Sequence, residues 1–248
     1  MEFKDYFSAQ SEIYVKSRPH YPDELFRFLA SLGSVHNLAW DCATGNGQAA
    51  VALAKYFNKV IATDGSEQQI KNAESHQKVK YAVALADNSG LEPGTVDLVT
   101  IASALHWMDF DMFYKEVNRV LKPGGIFAAW AYYKSYIDTS IDPIVKYLVK
   151  DILGKYWPPE RAYITNYYDT IPFPFKRIEA PSFQTSVIAN IDFLIGYFHS
   201  WSSTQQYIKI NHNDPVDLIR KDLEKAWGDL TATKKITWDI IFKVGLKE

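Results

Sequence analysis

Between an apolar stretch and a helical one the chain places Asp41-Cys42-Ala43-Thr44-Gly45-Asn46-Gly47. Glycines at such a junction let the backbone approach a ligand where a side chain would collide, and the following helix offers free N–H groups. A carboxylate at the strand end is a poor neighbour for a pyrophosphate and a good one for cationic groups. Asp64 closes the next apolar run, where it can accept hydrogen bonds from both hydroxyls of a ribose; its competing use is to cap the next helix, a role that Ser66 already fills. Ala86-Asp87-Asn88 follows a third run, at the depth where a nucleoside base would lie, and an Asp there can pair with an exocyclic amino group. His106-Trp107 follows a fourth: its imidazole can take a proton, orient an oxygen nucleophile, or simply pack. A nicotinamide-dinucleotide site competes with this reading. Gly45-x-Gly47-x-x-Ala50 fits the dinucleotide fingerprint, with Asp64 near the distance expected of a ribose-binding acid. Asp41 argues against it, as does the lack of an obvious Tyr-x-x-x-Lys pair.

These residues need a scaffold that brings strand ends together, and the chain reads as one. Asp23 to Leu32 sets Leu25, Phe26, Phe28, Leu29 and Leu32 on one helical face. Strands are expected at 38–42, 59–63, 79–85, 96–102 and 126–132, with helices at 48–57, after the Ser66 cap, and at 109–121. Gln69, three residues after Ser66, completes the pattern of a capping box. Strands alternating with short helices imply βαβ units and a mostly parallel sheet. After Tyr133 the rhythm breaks. Residues 134–174 and 190–235 read as helical insertions over the ligand-binding edge, and 175–188 and 236–246 as further strands, within a single domain over 1–248. Residues 1–22, polar, aromatic and bounded by Pro19 and Pro22, read as a lid, with 23–133 as the ligand-binding core.

Composition narrows the function classes. A net charge of −2 gives no basic footprint for nucleic acid. Cys42 is the only cysteine, so no disulfide forms within the chain, and the acidic N-terminus lacks an apolar signal core. No run approaches the roughly 20 apolar residues of a membrane helix. A cytoplasmic protein without membrane contact is the expectation, its oligomeric state open. The histidines are scattered without metal-ligand spacing, so no metal site is expected. The 7 Trp, 16 Tyr and 14 Phe leave room for an aromatic-lined pocket.

The ordered set Asp41-x-x-x-Gly45-x-Gly47, Asp64, Ala86-Asp87, Val96-Asp97-Leu98-Val99 and Arg119-Val120-Leu121-Lys122-Pro123-Gly124-Gly125 resembles the class I S-adenosylmethionine-dependent methyltransferases over about residues 35–132. More narrowly, Tyr14-x-x-x-Arg18-Pro19-x-Tyr21-Pro22, Ala104-Leu105-His106-Trp107 and Ser200-Trp201-Ser202 resemble the trans-aconitate methyltransferase-like group. The resemblance implies a Rossmann-like α/β fold: a seven-stranded, mostly parallel sheet with an antiparallel last strand and helices on both faces. It implies S-adenosylmethionine as methyl donor and a small-molecule acceptor, often a carboxylate. It places Asp41, Ala43, Thr44, Gly45, Gly47 and Gln48 at the methionyl part, and Asp64 at the ribose with Gly65 and Ser66 beside it. Ala86, Asp87 and Asn88 fall at the adenine, and Ser103 and Leu105 beside the transferring methyl. Tyr14 and Arg18 would close over the donor, Arg18 pairing with its carboxylate or serving only as a surface charge. His106, Trp107, Tyr132 and Trp201 would face the acceptor, with Tyr133 a further candidate and His106 acting as orienting group or base. Family members usually carry Gly where Ala43 stands. The alternatives are an NAD(P)-dependent dehydrogenase and a non-catalytic protein that binds S-adenosylmethionine.

Overall fold

The computed structural model describes residues 18–248, so Tyr14 and most of the expected lid lie outside the described residues. The parallel strands are β1 (Leu38–Cys42), β2 (Lys59–Asp64), β3 (Val79–Val83), β4 (Val96–Ala102) and β5 (Leu121–Tyr136). They lie in the order β3-β2-β1-β4-β5, so the direction of winding reverses between β1 and β4. An open α/β sheet binds ligands at such a point, because the loops after the two strands diverge to opposite faces and leave a crevice.

Side chains alternate across this sheet with period two. On β5, Ile126, Ala128, Trp130 and Tyr132 enter one apolar layer with α1 (Asp23–Ser31) and α2 (Gln48–Leu53). Phe127, Ala129 and Ala131 enter the other, with Trp40, Cys42 and the α4 helix (Phe110–Val120). Side chains cap two of the helices. Ser66 caps α3 (Glu67–Lys71) by accepting from the Gln69 N–H at 3.2 Å, as the spacing predicts. Asp109 caps α4 through the Met112 N–H, 3.1 Å away.

Beyond β5 the sheet turns antiparallel. β8 (Lys234–Leu246) pairs with β5 along one edge and with β6 (Lys176–Arg177) and β7 (Phe183–Ala189) along the other. The single strand expected over 175–188 is therefore broken. Pro181 supplies no N–H for a ladder, and pairing resumes at Phe183. The seven expected strands thus become eight segments in one sheet. β5 also runs past Tyr132, where the expected strand stops, because β8 continues to pair with it as far as Tyr136. One extra residue on the β5 side between Tyr132 and Ser135 makes a bulge, which breaks the alternation there.

The two expected insertions are helical. The first holds α5 (Asp142–Tyr147), a π-helical turn (Leu148–Ile152) and α6 (Arg161–Thr165). The second holds α7 (Ile191–His199), α8 (Ser202–Asn211) and α9 (Arg220–Trp227). Among the described residues no helix is long and apolar enough to cross a membrane, and no group of His, Cys, Asp or Glu is arranged to hold a metal.

Candidate active site

The loop after β1 is shaped by left-handed backbone. Gly45 and Gly47 have φ of +56° and +84°, and a Cβ on Gly47 would stand 2.1 Å from the Tyr81 hydroxyl. Ala43 takes φ of +52° as well, which explains the preference for glycine there and shows that this chain tolerates the strain. Asp41 is buried beneath this loop. It accepts hydrogen bonds from the hydroxyls of Thr44 at 2.5 Å and Thr100 at 2.7 Å. Burial pushes its carboxyl up to about 6 against those two bonds, with the nearby Asp64 charge adding to the rise.

Asp64, at the end of β2, accepts the Gly45 N–H and the Ser66 N–H, each at 2.9 Å and on different oxygens. Sequence reading offers it either a ribose or a cap. The geometry makes it the brace joining two loops. Gly65 bends the chain between those contacts. Gln48 opens α2 and donates to the Pro19 carbonyl at 3.3 Å.

The Ala86-Asp87-Asn88 loop follows β3, with Asp87 half-buried and Asn88 exposed. Its hold on the fold is a residue that sequence reasoning missed. Buried Glu116 on α4 accepts from the Ser89 N–H at 2.8 Å and its hydroxyl at 2.5 Å. Arg119 forks onto the same carboxylate at 2.7 and 2.8 Å. Burial alone would raise the Glu116 carboxyl, but Arg119 and Ser89 outweigh it and hold it at about 2.

After β4, Ser103 turns with φ of +54° and meets the Tyr21 hydroxyl at 3.1 Å. Leu105, expected beside the transferring methyl, is only 1% exposed and packs into the core near Trp40 and Phe113; three other residues of its loop, Ser103, His106 and Trp107, line the neighbouring cavity and Leu105 does not. Leu105 holds the turn from below.

That cavity has a volume of about 600 Å³ and is roofed by the helical insertions. Trp107, Tyr132 and Trp201 line it, and so do Tyr133, within the β5 bulge, and Tyr136 just beyond it. Trp157, Arg161 and Tyr197, which carry no motif, complete its walls. His106 also lines it, buried, with Nδ1 2.8 Å from the Tyr168 hydroxyl. Burial, then the Arg161 charge, pushes its imidazole down to about 3, so the ring is neutral near neutral pH. Arg18 faces this same cavity, with its guanidinium 5.0 Å from the Tyr197 ring centroid and 3.4 Å from the Ser200 carbonyl. It sits against the cap, not out on the surface.

Residues 19–21, assigned to the lid, are anchored. Tyr132 and Gln48 both donate to the Pro19 carbonyl, Thr185 donates to that of His20 at 2.5 Å, and Tyr21 stacks on Tyr132 with centroids 4.8 Å apart.

Residues 40–129 match the methyltransferase domain family. The chain is 36% identical over 247 residues to a Dictyostelium discoideum protein named as a methyltransferase, covering 98% of this chain and 94% of that one. A Saccharomyces cerevisiae protein named as an S-adenosylmethionine-dependent methyltransferase is 25% identical, with 94% of each chain covered. A solved structure of a type II methyltransferase from Anaeromyxobacter dehalogenans is 38% identical, with a TM-score of 0.86 over 92% of this chain and 97% of that one. With this fold and cleft, the chain belongs to the class I S-adenosylmethionine-dependent methyltransferases. It is an enzyme that takes its methyl group from S-adenosylmethionine, which sets the dehydrogenase and the non-catalytic binding protein aside. The cleft fits that donor. Left-handed turns at Ala43, Gly45 and Gly47 open the loop, with no atom within 4 Å of a Cβ at Gly45. The buried Asp41 carboxylate beneath this loop suits a cationic end.

Proposed function

We propose that this enzyme methylates an oxygen of a small carboxylate. The observation that carries this reading is the placement of His106, buried in the cavity wall with its Nδ1 2.8 Å from the Tyr168 hydroxyl. A ring held at about 3 is too weak a base to take a proton from a hydroxyl or an ammonium group near neutral pH. A carboxylate needs no such help, since it is ionised already. The resemblance to the trans-aconitate methyltransferase-like group points the same way. So does the charge around the cavity: Arg18, Arg161, Lys134, Lys146 and Lys150 line it against one carboxylate, Asp142.

Bound S-adenosylmethionine supplies an electrophilic methyl on sulfur, a leaving group that needs no protonation. The chain's part is binding and alignment. Asp41 balances the donor's positive end, Asp64 takes the ribose, and the 86–88 loop, braced by Glu116, takes the adenine. His106 orients the acceptor, and Trp107, Tyr132 and Trp201 exclude water. The decisive experiment is a mass-spectrometric screen of carboxylic acids, phenols and amines with S-adenosylmethionine. Methyl esters are the expected products; turnover confined to phenols or amines overturns the carboxylate.

A further inference from the structure

Arg161 stands in the cavity wall as a cation without an anion. It opens α6 just after Pro158-Pro159, and its guanidinium carbon lies 3.6 Å from the centroid of the Trp157 ring. Both residues line the cavity, and the Arg161 side chain makes no ion pair or hydrogen bond with the described residues, while its backbone N–H donates to the Pro158 carbonyl at 3.0 Å. Burial, and then the like charge of Arg18, lowers its affinity for its proton, bringing it down to about 10. Stacking on Trp157 offsets only part of that cost. Arg161 stands half-buried in the cavity wall, its charge near that of Arg18, and an anion entering the cavity would offset both the burial and the like charge at once. The fork of N–H donors suits a flat, bidentate anion.

We propose that Arg161, held flat by Trp157, is a specificity-determining residue that binds an anionic group of the acceptor other than the atom methylated. A guanidinium hydrogen-bonded to the attacking oxygen would draw electron density from it and weaken it as a nucleophile. Ser103 and His106 stand at the β4 end of the cavity, whereas Arg161 belongs to the cap. Preferred acceptors therefore carry a spectator carboxylate, sulfonate or phosphate in addition to the atom methylated. This rests on the cavity being the acceptor site, and holds whichever atom receives the methyl.

The test uses probes that cannot be methylated at a carboxylate. Benzenesulfonate and the neutral benzenesulfonamide are titrated by ligand-observed NMR into the protein saturated with S-adenosylhomocysteine. Wild type is expected to prefer the anion. Arg161→Gln should weaken the anion at least tenfold and leave the sulfonamide within twofold. Arg161→Lys, which keeps the charge and loses the fork, should fall between. Equal losses for both probes would mark Arg161 as structural. An anion unaffected by Arg161→Gln, or no preference in wild type, overturns the proposal. Unchanged S-adenosylhomocysteine affinity and melting temperature verify that the variants are folded. If this result stands while no carboxylate is methylated, only the nature of the methylated atom is discarded.

Discussion

The Nδ1 of His106 and the hydroxyl of Tyr168 meet at 2.8 Å across 62 residues of sequence, both side chains buried. Tyr168 reaches that position from two successive left-handed residues, Tyr167 at φ +54° and Tyr168 at +60°. Strain of this kind survives where the surroundings over-determine it, and here it aims a hydroxyl at the imidazole. When the hydroxyl donates to Nδ1, Nε2 carries the proton and becomes the donor available to an acceptor oxygen.

His106 should therefore act without titrating. His106→Gln is expected to retain much of the rate, and the wild-type pH–rate profile should show no imidazole inflection between about pH 5 and 8. Tyr168→Phe should lower kcat severalfold while leaving donor affinity unchanged. Stability carries the same signature. The folded imidazole sits at about 3, whereas the unfolded one titrates near ~6.5. Below that value the unfolded chain binds the extra proton, so stability falls as pH drops from about 6.5 toward 3, by at most about 1.4 kcal/mol per pH unit. Denaturant titrations at several pH values should show this slope reduced in His106→Gln; an unchanged slope would mean the imidazole titrates freely in the fold.

Asp41 works in the opposite direction. Its folded carboxyl, at about 6, holds a proton that the unfolded chain has released. Its contribution to stability therefore declines as pH rises from about 4 to 6 and is level above that. Donor binding should need the ionised form. At pH 5 only about a tenth of a group titrating near 6 is ionised, so affinity for S-adenosylmethionine should fall about tenfold between pH 7.5 and pH 5. Calorimetry on wild type and Asp41→Asn checks this. The variant should bind weakly and show a flatter profile, and parallel profiles would remove Asp41 from the donor's cationic end.

Asp64→Ala should cost twice. Loss of ribose contacts is expected to weaken S-adenosylhomocysteine by roughly tenfold to a hundredfold, and loss of the acceptor for the Gly45 and Ser66 N–H groups should destabilise the fold by about 1–3 kcal/mol. A stability loss with full affinity would leave Asp64 as a brace alone.

Gly47→Ala is expected to destabilise the protein by about 1–3 kcal/mol, since it combines φ of +84° with a Cβ 2.1 Å from the Tyr81 hydroxyl. Tyr81→Phe in the same chain removes the nearest atom and should recover part of the loss. Thermal melts of the two variants decide it, and no recovery would assign the cost to backbone strain alone.

The donor half was largely legible because local rules suffice there. Apolar runs, the Ser66 cap and the glycine loop each act within a few residues, and β1 to β4 bring them to one edge by right-handed crossovers. The cap was not. Pro181 interrupts a strand whose apolar residues run on, and the β5 bulge that brings Tyr133 and Lys134 to the cavity arises from pairing with β8. Leu105 shares a four-residue motif with His106 but is turned into the core. Arg161 and Glu116 carry no motif, and only their partners, from distant parts of the chain, give them a role.

β8 has a further consequence, for the order of assembly. It is the partner of β5, β6 and β7, yet follows all three in the chain. Until it is added, β5 has an open edge and β6 and β7 have nothing to pair with. The parallel strands β1 to β5 need no such wait, since they pair with one another without β8. The nascent chain thus has an early and a late half, and the late one exposes an unpaired edge during synthesis, the interval in which such a chain is most open to aggregation.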